Sequence, residues 1–194
     1  MTSGLIIGLL VLIVSIGLLA CKLKSDKTAN QQDKTAKKTK LEDNPYLGLR
    51  DQAINLTPEQ LQLSDLSEQE IFGVIMDWNM GNAIVTVTSL KTGDASIYMS
   101  TGQAFIGGIG HETVTKAAKG FVALCENYLK YATKTDKTNP ISGKKIDFYF
   151  LTKSGKFYLE EDFANIESNR SKLIGLFEAA NQVITEYRLI TEKK

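Results

Sequence analysis

Glycine clusters in one short stretch of this chain, and that stretch limits how the middle of the sequence folds. Residues 100–111 read STGQAFIGGIGH, with Gly102, Gly107, Gly108, Gly110 and the single histidine, His111. Glycine tolerates positive φ angles and close backbone approach, so this density predicts a loop of demanding shape. An apolar run precedes the stretch and a helical periodicity follows it, which predicts a tight strand-to-helix connection.

Composition narrows the function classes. The 194 residues leave room for one domain of ordinary size after an apolar N-terminal segment. A net charge of +1 gives no overall field for nucleic acid, so we expect no nucleic-acid partner. The two cysteines are Cys21, beside the apolar segment, and Cys125, so the folded region holds one thiol, which favours a reducing compartment.

The first 21 residues predict attachment to a membrane. Leu5–Ala20 is apolar and uncharged, close to the minimum of roughly 17 residues that spans a bilayer. Basic residues follow it, beginning at Lys22, and none precedes it, which predicts a single transmembrane helix with the C-terminal domain cytoplasmic. The alternative is a lipoprotein signal, because Leu18–Cys21 has the form of a lipobox. Cys21 would then carry the lipid, and the domain would face the periplasm or the cell exterior.

The polar segment 22–43 lacks apolar periodicity and predicts a flexible linker. Residues 44–194 then carry the helix and strand signals of a single domain. A helix is expected to begin at Thr57–Gln60, where Pro58 follows a capping residue. Further helices are expected over 114–129 and 173–190, and strands over 71–78, 83–90, 94–99, 145–152 and 156–160.

The resulting element order is α-βββ-α-ββ-α. It predicts an α+β fold with a mostly antiparallel five-stranded sheet and packed helices. This order is compatible with profilin-like or longin-like architectures, although sequence pattern does not determine strand order.

Three stretches resemble a family of uncharacterised bacterial proteins: Asn44–Arg50, Gly73–Trp78, and the run from Ser100–Gly102 through Ile106–Gly108 to His111. The resemblance covers most of 44–190. It departs from the family at Gln103–Ala104, where the family pattern has more glycine. The resemblance implies a bacterial source and membrane-anchored small α+β domains, and it implies no activity, cofactor or catalytic residue.

The glycine stretch is the first candidate ligand site. Backbone N–H groups at a helix start suit phosphate or carboxylate, which makes Gly102, Gly107, Gly108, Gly110 and His111 candidate binding residues. The stretch lacks the Lys and Ser/Thr of a P-loop and the third glycine of a dinucleotide fingerprint. A tight crossover packed on Phe105 and Ile106 is therefore the favoured interpretation. For His111, a surface or capping role is favoured over a catalytic one, because no partner is evident.

Acidic residues form the second candidate. Asp77 ends the first strand, and Glu160–Asp162 ends another, and converging carboxylates could bind a cation. Nothing in their spacing predicts that they converge, so we predict no metal site. Asp77 joins the candidate ligand site only where the fold brings it near the glycine stretch. Cys125 lies on an apolar helix stripe and is expected to be buried and inert.

These observations favour a membrane-tethered, non-enzymatic interaction or sensing module that binds a protein partner through its sheet edge or the glycine-stretch surface. A tether raises local concentration near a membrane partner. The alternative is a small-ligand or anion-binding domain, which could be hydrolytic, that uses the glycine stretch and His111. No cofactor and no catalytic residue are predicted, because no nucleophile–base pair, metal cluster or phosphate motif is present in the sequence.

Overall fold

An antiparallel sheet of seven strands forms the centre of the fold, and other elements cover both of its faces. The computed structural model describes residues 44–192. The anchor or lipoprotein signal predicted for 1–21 and the linker predicted for 22–43 lie outside the described residues.

The helices of the described region are α1 (Tyr46–Ile54), α2 (Glu112–Cys125), α3 (Phe163–Glu167) and α4 (Ile174–Thr191). The strands are β1 (Gly73–Asn79), β2 (Ile84–Leu90), β3 (Ala95–Met99), β4 (Ala104–Ile106), β5 (Thr133–Thr135), β6 (Lys145–Thr152) and β7 (Gly155–Asp162). Their order across the sheet is β4-β3-β2-β1-β6-β7-β5, and every neighbouring pair is antiparallel. The short strands β4 and β5 therefore form the two edges.

The α+β class and the antiparallel sheet confirm the coarse prediction, and the count of five strands is wrong. The two missed strands, β4 and β5, are three residues long, too short to show a periodic apolar pattern. The helix expected at Thr57 is a single 3₁₀ turn, Glu59–Leu61. The first α-helix is instead α1, which begins directly after Pro45.

One sheet face, the helix face, is covered by α2, α3 and α4. Its side chains include Met76 and Phe148, which are fully buried, and Phe121 of α2 packs against Phe148 with ring centroids 6.5 Å apart. Trp78 packs between Phe163 of α3 and Phe177 of α4 at 5.2 and 5.1 Å. Burial of apolar area on this face supplies much of the stability of the fold. Cys125 is also buried there, and its burial raises the pKa of the thiol.

The opposite face, the α1 face, is covered by α1 and by the segment 56–72. Ile54 at the end of α1 joins an apolar cluster with Phe72, Ile75 and Leu151. At the start of α1, Tyr46 packs on Tyr98 of β3. The centre of this face is polar, in contrast to the helix face.

Candidate functional site

Three carboxylates lie side by side across the α1 face. The register pairs Asp77 of β1 with Asp147 of β6, and Asp147 with Glu160 of β7. Asp77 is fully buried and Asp147 is 5% exposed, whereas Glu160 reaches solvent. Directly opposed residues on neighbouring strands lie about 5 Å apart, so these charges interact.

Arg50 of α1 neutralises Asp77. Its Nε and Nη2 atoms donate to Asp77 Oδ2 at 2.8 and 2.6 Å, and Thr86 Oγ1 donates to Oδ1 at 2.5 Å. The Tyr46 hydroxyl lies 3.0 Å from Thr86 Oγ1, and burial raises the pKa of that phenol to about 12. This network fixes α1 on the sheet.

Arg50 also holds the chain segment that connects β5 to β6. Its Nη1 atom donates to the carbonyl oxygen of Thr138 at 2.7 Å, and Nη2 approaches that of Asn139 at 3.4 Å. The guanidinium thus bridges the sheet and this segment while it lies 5.6 Å from the centre of the Tyr149 ring. Planar, multiply donating arginine suits such a buried junction.

A pocket of about 420 Å³ lies beside this junction. We call it the β6–β7 pocket; it is lined by Thr135, Lys137, Asn139, Pro140, Ile141, Ser142, Lys145, Asp147, Tyr149, Tyr158 and Glu160. The segment held by Arg50 forms one wall, and side chains of β6 and β7 form the floor. Its size lies in the range of small-molecule sites.

One phenolic proton serves two carboxylates in the floor of this pocket. The Tyr158 hydroxyl lies 2.8 Å from Asp147 Oδ1 and 2.9 Å from Glu160 Oε2. Burial, opposed in part by the Tyr158 hydrogen bond, raises the pKa of Asp147 to about 6, and the charge of Asp77 adds to the rise. Burial and the adjacent carboxylate of Asp147 raise the pKa of Tyr158 in turn. Of the two carboxylates, Asp147 is therefore the one whose charge changes with pH near neutrality, because hydrogen bonds from Tyr158 and Lys145 lower the pKa of Glu160.

Sequence reasoning identified Asp77 and Glu160–Asp162 and missed Arg50, Asp147 and Tyr158. The available signal was Asp147 itself, the one charged residue within the apolar run 146–151 of β6. The acidic side chains at the end of β7 do not form one cluster. Glu160 lines the β6–β7 pocket, whereas Glu161 accepts hydrogen bonds from Asn165 and Ser171.

The glycine stretch contains the edge strand β4 between two turns. Gly102 and Gly107 adopt positive φ angles of 97° and 84°, which glycine accepts without a steric cost. Gly108 is buried, and a Cβ there would lie 2.6 Å from both the Tyr187 hydroxyl and Val114 Cγ1. The crossover at Gly108 is therefore filled by side chains of α2 and α4.

Polar groups of the glycine stretch are engaged within the chain. Asp94 Oδ1 accepts hydrogen bonds from the N–H groups of Ala95 and Ile109 at 2.9 and 3.2 Å. The Tyr187 hydroxyl donates to the carbonyl of Ala95 at 2.5 Å. A carboxylate of the protein thus already lies where an anionic ligand would bind the Ile109 amide.

The structure does not bring the predicted ligand residues into one site. Asp77 lies on the α1 face, whereas Gly108 packs on the helix-face side against Tyr187. His111 is exposed, precedes α2 and makes no side-chain capping bond. Gly110 has no atom near its Cβ position, so it faces open space.

The exposed apolar residues at the β4 edge form a second feature. Ile106 is 63% exposed and Ile109 is 58% exposed, and the two flank Gly107 and Gly108. Phe105 lies between Ala104 and Ile106, and its ring packs on Tyr187 with ring centroids 6.0 Å apart. We call Ala104, Ile106 and Ile109 the β4 edge patch.

Among residues 44–192, no strand pairs with the outer side of β4. The Met99 N–H donates to the Gln103 carbonyl, so Met99 and Gln103 form a hydrogen-bonded pair of the β3–β4 ladder. In an antiparallel ladder every second pair is hydrogen-bonded, so the next such pair is Ile97 with Phe105. Phe105 then pairs with β3, while the N–H and C=O groups of Ala104 and Ile106 point away from the sheet. The opposite edge, β5, carries Lys134 and two threonines.

Within residues 44–192, no helix is long and apolar enough to cross a bilayer, and no three acidic, cysteine or histidine side chains are grouped as metal ligands. The comparisons with known proteins add no relative: no family model, curated protein or solved structure matches the chain.

Proposed function

We propose that this chain is a membrane-tethered, non-enzymatic interaction or sensing module whose protein partner adds an extended strand to β4. The observation that carries the proposal is the β4 edge patch, where exposed isoleucines accompany main-chain groups that pair with no other strand in the described part of the chain. Native proteins protect free edges with charge, and an apolar unprotected edge is a template for strand addition. In such complexes main-chain hydrogen bonds give affinity and alternate side chains give specificity.

The alternative function, an anion or small-ligand site at the glycine stretch, has less support. Tyr187 fills the space at Gly108, and Asp94 engages the amide of Ile109. A bound anion at that amide would meet the Asp94 carboxylate, and like charges repel.

Attachment to the membrane is part of the same proposal and is supported by sequence. The apolar segment 5–20 and the lysines after Cys21 favour a single span with the domain in the cytoplasm. Fatty-acid labelling of cells that make the chain tests this, with Cys21→Ala as the comparison. If the label depends on Cys21, the chain is anchored as a lipoprotein and not by a transmembrane helix.

The partner proposal is tested by placing a photoreactive amino acid at Ile106 in the full-length chain. The matched control places it at Thr133, which is exposed on the opposite edge. We expect one protein to crosslink from position 106 and not from position 133. That protein should then bind the purified chain. Crosslinks only between copies of this chain would assign the edge to self-assembly, and equal products at both positions would contradict the proposal.

A further inference from the structure

The carboxylate row on the α1 face lacks one positive charge. Arg50 pairs with Asp77 at 2.6 Å, and Lys145 pairs with Glu160 at 3.1 Å. Among the described residues, no lysine, arginine or histidine lies within ion-pair distance of Asp147. Three carboxylates therefore share two cations.

Asp147 lines the pocket, and one of its two oxygens has no hydrogen-bond partner among the described residues. Its Oδ1 accepts the Tyr158 hydroxyl, whereas Oδ2 accepts no hydrogen bond from any residue in 44–192 and is not sealed from solvent. The side chain is 95% buried and lines the β6–β7 pocket. A buried carboxylate without a counter-charge is costly, and a bound cation would remove that cost.

The surroundings of Asp147 suit an organic cation. The ring of Tyr158 lines the pocket beside Asp147, and aromatic faces attract ammonium groups, whereas the Tyr149 ring already lies against Arg50. A metal ion fits poorly, since oxygen-ligated cations require several converging ligands and the described residues offer no such group.

We propose that the β6–β7 pocket binds a small organic cation with a primary ammonium group, and that Asp147 is its counter-ion. The ammonium donates to Asp147 Oδ2, while Tyr158 keeps Oδ1 oriented. This site lies on β6 and β7 and is separate from the β4 edge patch, so each proposal stands or falls on its own.

The charges around the pocket favour one ammonium group over two. Lys137 lines the pocket, is exposed and makes no ion pair with a described residue. Lys145 also lines it, although Glu160 offsets its charge. A second positive charge on the ligand would meet Lys137, so a monoamine should bind more tightly than a diamine of the same length.

Protons compete with the ligand for Asp147. The groups that face this carboxylate are Asp77 and Arg50, Tyr149 and Tyr158, and Glu160 with Lys145. Because its pKa is raised to about 6, Asp147 is ionised at pH 7.5 and largely protonated at pH 5. The amine stays charged over this range, so its affinity should fall about tenfold per pH unit below that pKa.

Calorimetric titration of the full-length chain with n-butylamine at pH 7.5 tests the proposal. We expect saturable binding, weakened about tenfold or more by Asp147→Asn because a charge-assisted hydrogen bond is lost. Asp65→Asn removes the same charge from an exposed site and should leave binding unchanged. n-Butanol, Mg²⁺ and Ca²⁺ are the comparison ligands, and 1,4-diaminobutane should bind less tightly.

Any of several results would overturn the inference. These are no binding of n-butylamine at millimolar concentration, equal binding by n-butanol, preferential binding of a divalent metal, or an affinity unaffected by Asp147→Asn. Asp147→Asn is expected to fold, since it removes an unpaired buried charge. The pH dependence of the wild-type chain gives a second measurement: unchanged affinity between pH 7.5 and pH 5 would also overturn it.

Discussion

The two ends of the sheet differ in how they meet solvent. At the β4 end, isoleucines are exposed beside main-chain groups that no other described strand pairs with, and Tyr187 fills the space at Gly108. At the β5 end, Lys134 occupies the edge strand, and the β6–β7 pocket with its buried carboxylate, Asp147, opens next to it. Charged edges resist strand addition, whereas apolar open edges favour it. This difference is why we propose a macromolecular partner at the first end and a small ligand at the second.

The Arg50–Asp77 pair lies on β1 and α1, between the two edges, and breaking this pair should give the largest effect on stability. Asp77→Ala leaves a guanidinium that is 4% exposed without its partner. We expect the free energy of unfolding to fall by about 3–5 kcal/mol, measured by urea denaturation.

Two comparisons identify the cause of that loss. The double variant Asp77→Leu with Arg50→Met should recover most of it, because no unpaired charge remains. Glu192→Ala, which breaks the exposed pair between Arg188 and Glu192 at 3.8 Å, should change stability by about 0.5 kcal/mol or less. Equal losses in Asp77→Ala and the double variant would show that packing, not the buried charge, stabilises α1.

Gly108→Ala tests whether side chains fill the crossover at the β4 end. Its Cβ would lie 2.6 Å from the Tyr187 hydroxyl and from Val114, so α2 or α4 must shift. We expect a loss of about 1–3 kcal/mol in unfolding free energy. Gly110→Ala is the matched control, since its Cβ position is open, and it should be nearly neutral. Equal effects at both positions would contradict a filled crossover at Gly108.

Asp147→Asn, near the β5 end, should raise the free energy of unfolding, whereas the preceding variants lower it. Folding raises the pKa of Asp147 from its ordinary 3.8 to about 6, so the ionised group opposes folding above that pKa. The contribution of Asp147 to the free energy of unfolding is most favourable below pH 4 and is lost as the pH rises through 6. The variant should therefore gain about 1–2 kcal/mol at pH 7 and little at pH 4. A loss of stability at pH 7 would mean that Asp147 is already neutralised.

The sequence predicted the parts of this molecule that carry long periodic patterns. The helix around Phe121 and the hairpin of β6 and β7 follow from such patterns. The strand β5, which reads TKT, is exposed and polar, so it carries no apolar alternation. Arg50 was missed because it lies on a helix 27 residues before Asp77, and the sequence pattern does not show where that helix packs. Asp147 and Tyr158 lie 11 residues apart in the predicted hairpin, but their hydrogen bond depends on a register that the pattern does not determine.

Ile106→Lys should produce the smallest change in stability and a large change in binding. The side chain is 63% exposed, so the free energy of unfolding should change by about 0.5 kcal/mol or less. Affinity for the crosslinked partner should fall about tenfold or more, because a charge on the edge opposes strand addition. Thr133→Lys on β5 should leave that affinity unchanged, and a comparable loss there would remove the distinction between the two edges.

Amide hydrogen exchange of the full-length chain, with and without the purified partner, tests strand addition to β4 most directly. The Ala104 and Ile106 amides point away from β3, so they should exchange rapidly alone and at least about tenfold more slowly in the complex. The amides of β5 should not change. Protection confined to β5, or a complex in which the Ala104 and Ile106 amides still exchange freely, would contradict the account.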